Sequence, residues 1–113
     1  MTEAAIHRLE LREQTPECVR GRLAGEIDSS NSPLLLGQLL DAAKGRRLLL
    51  DLSDLEHLDS SGMAMLHAVS RQTRLELIVA PKSIVARALS IIEFHRLVPI
   101  HNSVPTPPWD SGA

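Results

Sequence analysis

Residues 48–66 read LLLDLSDLEHLDSSGMAML, and this stretch decides the fold. Consecutive leucines at 48, 49 and 50 suit a central strand covered on both faces, so residues 46–52 (RRLLLDL) are predicted as a strand ending near Leu52. The acidic residues Asp51, Asp54, Glu56 and Asp59 then crowd a short span. Ser53-Asp54 reads as a turn, after which Leu55 and Leu58 dip back into the core. Asp59-Ser60-Ser61-Gly62 opens a second helix over 61–73, with Met63, Leu66 and Val69 inward and Met65 at the margin. A helix start presents unpaired amides and a partial positive charge, which Asp59 or Ser60 can cap. Gly62 keeps the first turn close to the sheet. Local structure alone thus accounts for all four residues.

Upstream, residues 5–12 alternate loosely and predict a strand. Gln14-Thr15-Pro16 is a turn. Residues 17–24 place Val19, Gly21 and Leu23 opposite Cys18, Arg20 and Arg22, a period of two that makes a second strand and a hairpin. Gly25-Glu26-Ile27-Asp28 carries that strand to its end. Ser29-Ser30-Asn31-Ser32-Pro33 then stops the strand and starts a helix, with Ser32 as N-cap and Pro33 in the first helical position. Leu34, Leu35, Leu36, Leu39, Leu40 and Ala43 give that helix a wide apolar stripe, and Gly45 ends it.

Downstream, residues 75–79 (LELIV) are a strand closed by Ala80-Pro81. Residues 82–92 form a third helix with Ile84, Val85, Ala88, Leu89 and Ile92 inward, and a short strand lies near Val98–Ile100. The order β-β-α-β-α-β-α-β predicts an α/β domain: a mixed sheet, mostly parallel with right-handed crossovers, antiparallel at the edge the hairpin supplies. Residues 1–104 make the domain. The proline-rich tail 105–113 has too few apolar groups to order itself.

Composition narrows the function. A chain of 113 residues supports one core. A net charge of −2, with no basic stripe carrying interleaved aromatics, gives no reason to expect nucleic acid. An aromatic share of 2% argues against a ring-lined ligand pocket. No apolar run reaches membrane-spanning length and the first residues are polar and charged, so no membrane partner and a cytoplasmic location are expected. Cys18 is the single cysteine and reads as a small buried hydrophobe. His7, His57, His67, His95 and His101 are scattered without metal-ligand spacing, and no glycine-rich phosphate loop exists, so neither metal nor cofactor is expected. A nucleophilic Ser60 with His57 as base lacks a nucleophile elbow and an oxyanion partner, which sets a hydrolase aside.

A serine hydroxyl at a strand-to-helix junction also suits a switch. A phosphate there would be tolerated by the helix start, yet would bring about −1.5 to −2 charges into an acidic neighbourhood and oppose a partner docked over the loop. At this point the sequence resembles a family. GEID at 25–28, the long stretch quoted above and the later VARAL…LVPIHNSV, in that order, resemble the bacterial STAS domain of the anti-sigma factor antagonist type, over roughly residues 5–104.

The resemblance implies a STAS-like mixed sheet with helices packed on one side. It implies a non-enzymatic protein that, when unphosphorylated, binds a serine-kinase anti-sigma factor and so releases a sigma factor. Phosphorylation ends the complex and a partner phosphatase resets it. Ser60 matches the phosphoacceptor, Asp59 the acid that shapes the loop, Ser61 and Gly62 the helix start, and Asp28 the acid closing GEID. The implied partner surface runs over Asp28, Ser29, Ser30 and Asn31, then Leu58 to Gly62 with Met63, then the outer face of the second helix around Met65, Arg71 and Gln72. Two departures stand out. Glu93-Phe94 occupies the place of a Gly-Leu pair at the exit of the third helix, and the tail, with Trp109, replaces a last helix. The alternative within the family is a scaffold of a stress-sensing complex or an accessory subunit of a membrane transporter, with no phosphorylation switch. Self-association is left open.

Overall fold

A computed structural model describes residues 5–103, the side chain of Glu13 aside. The elements run β1 (His7–Gln14), β2 (Cys18–Ile27), α1 (Ser32–Ala43), β3 (Arg47–Leu58), α2 (Ser60–Gln72), β4 (Leu75–Ile78), α3 (Ile84–Ile91), a one-turn 3₁₀ segment (Phe94–Arg96) and β5 (Ile100–His101). They form one five-stranded sheet in the order β1-β2-β3-β4-β5. β1 pairs antiparallel with β2, and the other neighbours are parallel, as the hairpin and the alternating helices require. The tail 105–113 and Trp109 lie outside the described residues.

Side-chain parity shows which face the helices cover. Val19, Leu23 and Ile27 of β2, Leu48, Leu50 and Leu52 of β3, and Leu75, Leu77 and Val79 at β4 share one apolar core. The buried side chains of α1, α2 and α3 (Leu35, Leu39, Ala43; Met65, Leu66, Val69; Val85, Leu89) belong to that same core. The residues between them on the strands, among them Arg20, Arg22, Leu49, Asp51 and Glu76, lie on the opposite, helix-free face. All three helices therefore pack on one side of a mixed sheet.

The largest correction concerns β3. It does not end near Leu52 but runs twelve residues, to Leu58, straight through Ser53-Asp54. Core leucines at 52, 55 and 58 are three apart, a spacing no regular strand can turn to one face. Two irregularities resolve the conflict. Between Arg22 and Ala24 on β2, β3 advances from Asp51 to Asp54; between Gly25 and Glu26 it advances from Leu55 to His57. Each inserts one extra residue into β3 and flips the side-chain parity, so Leu55 and Leu58 return to the core.

Smaller differences have local causes. Ser32 is the first helical residue of α1 and Asn31 the N-cap; its side chain makes no cap bond because it is engaged behind the helix. In α1 the stripe narrows to Leu35, Leu39 and Ala43, with Leu36 half-buried and Leu34 63% exposed. Ser83 caps α3 by accepting from the Ala86 amide at 3.0 Å. The helix therefore starts at Ile84, which turns outward with Ile92 once Val85 and Leu89 face the core. At its exit Glu93 adopts a left-handed conformation (φ 55°), the role a glycine would fill, and Phe94 is buried in the core.

Candidate functional site

Ile27 ends β2 at the point where α2 begins, and the Asp59 amide donates to the Ile27 carbonyl at 3.2 Å. This bond fastens the loop after β2 beside the start of α2. Asp59 has extended backbone (φ −93°, ψ −171°), and its Oδ1 accepts from the Gly62 amide at 3.1 Å, a side-chain N-cap. Its carbonyl accepts from the Met63 amide at 3.0 Å. Asp59 thus fixes the helix start. Ser60 is the first helical residue and is exposed, and among the described residues no side chain engages its hydroxyl.

Gly62 is buried for a steric reason. A Cβ there would lie 2.2 Å from Leu58 Cδ1 and 3.0 Å from Ile27 Cγ2. The first turn of α2 sits directly on the ends of β2 and β3, and any larger residue would require Leu58, Ile27 or the turn itself to shift. Ser61 and Met63 are half-buried, and Met63 packs on the core.

The facing loop is ordered by its own polar groups. Asp28 Oδ1 accepts from the Ser30 amide at 2.7 Å and from Ser30 Oγ at 2.5 Å. The Ser30 hydroxyl and then its amide hold the Asp28 carboxyl below the usual carboxylate range; burial opposes them, and the nearby His57 adds a lesser lowering. Asp28 is therefore an anion at neutral pH. Ser29 and Ser30 are exposed, and Ser30 Oγ accepts from the Ala5 amide at 2.9 Å.

Asn31 differs from the expectation for a surface residue. It is 5% exposed. Its Nδ2 donates to the Glu26 carbonyl at 2.8 Å and the Ala5 carbonyl at 3.3 Å, and lies 3.2 Å from His7 Nδ1. Its Oδ1 accepts from the Asp28 amide at 3.0 Å. Asn31 is buried, and its side chain pins the loop to the start of the N-terminal strand. Met65 is likewise corrected: it is 4% exposed and belongs to the core. The outer face of α2 is made by Ala64, His67, Arg71 and Gln72.

Sequence reasoning missed a polar network on the helix-free face. Glu76 on β4 accepts from Arg47 on β3 and from His101 Nε2 on β5, the latter at 2.9 Å. Burial pushes the Glu76 carboxyl up, but hydrogen bonds from His101 and Arg47 and their charges outweigh it and leave it lowered. One signal was in the sequence, a glutamate inside the apolar run LELIV. Further along the same face Arg22 pairs with Asp54. Among the described residues no cluster of His, Cys, Asp or Glu could hold a metal ion, and no helix is long and apolar enough to cross a membrane.

No curated protein matches the chain. An anti-sigma factor antagonist from Mycobacterium paratuberculosis superimposes with a TM-score of 0.76 at 19% identity, over 88% of each chain. The anti-sigma factor antagonist SpoIIAA in its unphosphorylated form gives 0.64 at 20% identity, over 86% of this chain and 90% of that one. The Bacillus cell fate determinant SpoIIAA in its phosphorylated form gives 0.59 at 19% identity, over 85% and 93%. These likenesses establish the fold of anti-sigma factor antagonists. The family model of the STAS domain matches residues 11–106, and the chain belongs to the STAS domain family.

Proposed function

We propose that this chain is an anti-sigma factor antagonist that, unphosphorylated, binds a serine-kinase anti-sigma factor and frees a sigma factor, and that phosphorylation of Ser60 switches it off. One observation carries the reading. The Ser60 hydroxyl stands exposed at the first position of a helix whose start Asp59 has already capped, so a kinase can reach it without unfolding anything. The fold shared with SpoIIAA in both phosphorylation states supports it.

The switch follows from charge. The α2 amides accept a phosphate at little cost to the fold. The same phosphate adds about −1.5 to −2 charges beside Asp59 and near the ionised Asp28. A partner seated over Ser29, Ser30, Ser60, Ser61, Met63 and the outer face of α2 then meets a desolvated anion where it met a hydroxyl. Asp28 and Asn31 shape the surface, and Gly62 holds it against the sheet. The role is binding, with no catalytic step, cofactor or metal of its own; a phosphatase restores the hydroxyl, and the partners are cytoplasmic regulators of transcription in a bacterium.

The test is intact mass after incubation with candidate anti-sigma kinases and ATP, on wild type, Ser60→Ala and Ser61→Ala. A single phosphate absent only from Ser60→Ala is the expected result. A phosphate that survives in Ser60→Ala, or none with any kinase while a scaffold or a transporter subunit still binds, would replace this reading with the scaffold role.

A further inference from the structure

β1 is an edge strand, paired only with β2. The Ile6 carbonyl accepts from the Glu26 amide at 3.0 Å, and the register continues as Arg8↔Ala24 and Glu10↔Arg22. By the alternation of an antiparallel ladder, Ile6, Arg8 and Glu10 turn their main-chain groups toward β2. His7, Leu9 and Leu11 turn theirs outward, to an edge that no described element occupies. Edges of this kind are templates for a further strand unless something spoils them.

The side chains of this edge are self-complementary. Arg8, Glu10 and Arg12 share the helix-free face, where Glu10 pairs with Arg8 at 3.5 Å and Arg12 at 3.1 Å. His7, Leu9 and Leu11 face the helical side and line a groove against Gln38, Asp41 and Ala42 of α1. Leu11 is 43% exposed, and Leu34, one helical turn before Gln38 on α1, is 63% exposed. RLELR at 8–12 alternates charged residues with leucines, so an antiparallel copy centred on a leucine sets Arg against Glu across the edge.

We propose that two copies of this chain pair antiparallel along the free edges of β1, with the two-fold axis at Leu9. The register follows from charge and backbone. An axis at Glu10 would set Glu10 against its own copy and Arg8 against Arg12. An axis at Leu11 would carry the pairing across Arg12, the residue at which β1 bulges between Leu11 and Glu13. The axis at Leu9 uses only the regular part of the strand. It sets Leu9 against Leu9, His7 against Leu11, and Arg8 against Glu10 twice over, and it uses the outward amides and carbonyls of His7, Leu9 and Leu11 as the ladder. The α1 helices meet over the groove and cover Leu11 and Leu34.

This pairing goes beyond the proposed switch and does not depend on it. The loop at Asp28–Asn31 is fastened to Ala5 and His7 at the start of β1, so an antiparallel pair carries its two switch loops at opposite ends, each open to its own partner. A short strand pair with one helix row is a small interface, so association in the micromolar range is expected.

Sedimentation velocity on the full chain, from low micromolar to near-millimolar concentration, tests it. Wild type should pass from monomer to dimer. Glu10→Arg should keep the far-ultraviolet circular dichroism of wild type, lower its melting only slightly as the half-exposed pairs with Arg8 and Arg12 are lost, and weaken the dimer by about tenfold or more, because two opposite pairs become two like pairs. The double exchange of Arg8→Glu with Glu10→Arg should restore it; loss in the single variant together with recovery in the double one is the pattern expected with the axis at Leu9. A wild type that stays monomeric throughout, a Glu10→Arg dimer as strong as wild type, or a double exchange as weak as the single one would each overturn the proposal.

Discussion

The two halves of β3 do different work. From Arg47 to Asp51 the strand is regular, paired with β2 on one side and β4 on the other, with Leu48 and Leu50 fully buried. From Leu52 to Leu58 it pairs with β2 alone and carries both bulges. The first half builds the core. The second spends its regularity on placement: each extra residue re-aims the chain, so that Leu55 and Leu58 anchor it while Asp59 and Ser60 emerge beside the end of β2. The end of the domain that carries Ser60 is thus an irregular strand held by a regular one.

If this division is right, the largest loss should come from the regular half. Leu50→Ala removes a fully buried side chain between two paired strands and should lower stability by about 3 kcal/mol in urea unfolding. A loss below about 1 kcal/mol would mean that the core does not depend on this half. At the irregular end Gly62→Ala forces a methyl against Leu58 and Ile27 and should cost about 1–3 kcal/mol in thermal unfolding, and weaken partner binding by displacing Ser60. Binding retained with stability lost would separate the seat of α2 from the switch. Asp59→Ala removes the cap and should cost about 1 kcal/mol, with Asp59→Asn recovering most of it, since either oxygen can accept from Gly62.

The smallest effect sharpens the comparison from the far side of the sheet. The Glu76 carboxyl is lowered from its ordinary 4.5, so the folded state holds its proton less tightly than the unfolded one. Its contribution is therefore fully present above about pH 4.5 and is lost as pH falls through the lower folded value. Stability against pH should slope downward below that point in wild type and flatten in Glu76→Gln. An unchanged slope would assign acid sensitivity to other carboxylates, Asp28 among them.

Much of this was legible in the sequence because the signals were local. Alternation in residues 17–24, Pro33 behind a polar run, and the leucine run at 48–50 each specified an element without help from the rest of the chain. The candidate loop was legible for the same reason: Asp59-Ser60-Ser61-Gly62 carries cap, hydroxyl and close-approach glycine together. What was not legible depends on partners. The period of three in Leu52, Leu55 and Leu58 makes sense only once β2 supplies the register against which β3 can bulge. Asn31 looked like a surface residue because one of its acceptors, Ala5, lies far back in the chain ahead of β1 and the other, Glu26, is a main-chain carbonyl of β2. The outward Ile84 follows from where the Ser83 cap starts α3, and the left-handed Glu93 from where the helix stops.

The most direct measurement of the central claim is the dissociation constant of a cognate anti-sigma kinase for the unphosphorylated chain and for the chain phosphorylated on Ser60. Like charge placed in a desolvated contact costs several kcal/mol, so the phosphorylated form should bind about 100-fold or more weakly while its melting temperature stays near that of the unmodified chain. Equal affinity for the two forms, with the phosphate confirmed on Ser60, would contradict the account and leave the hydroxyl without a role in partner exchange.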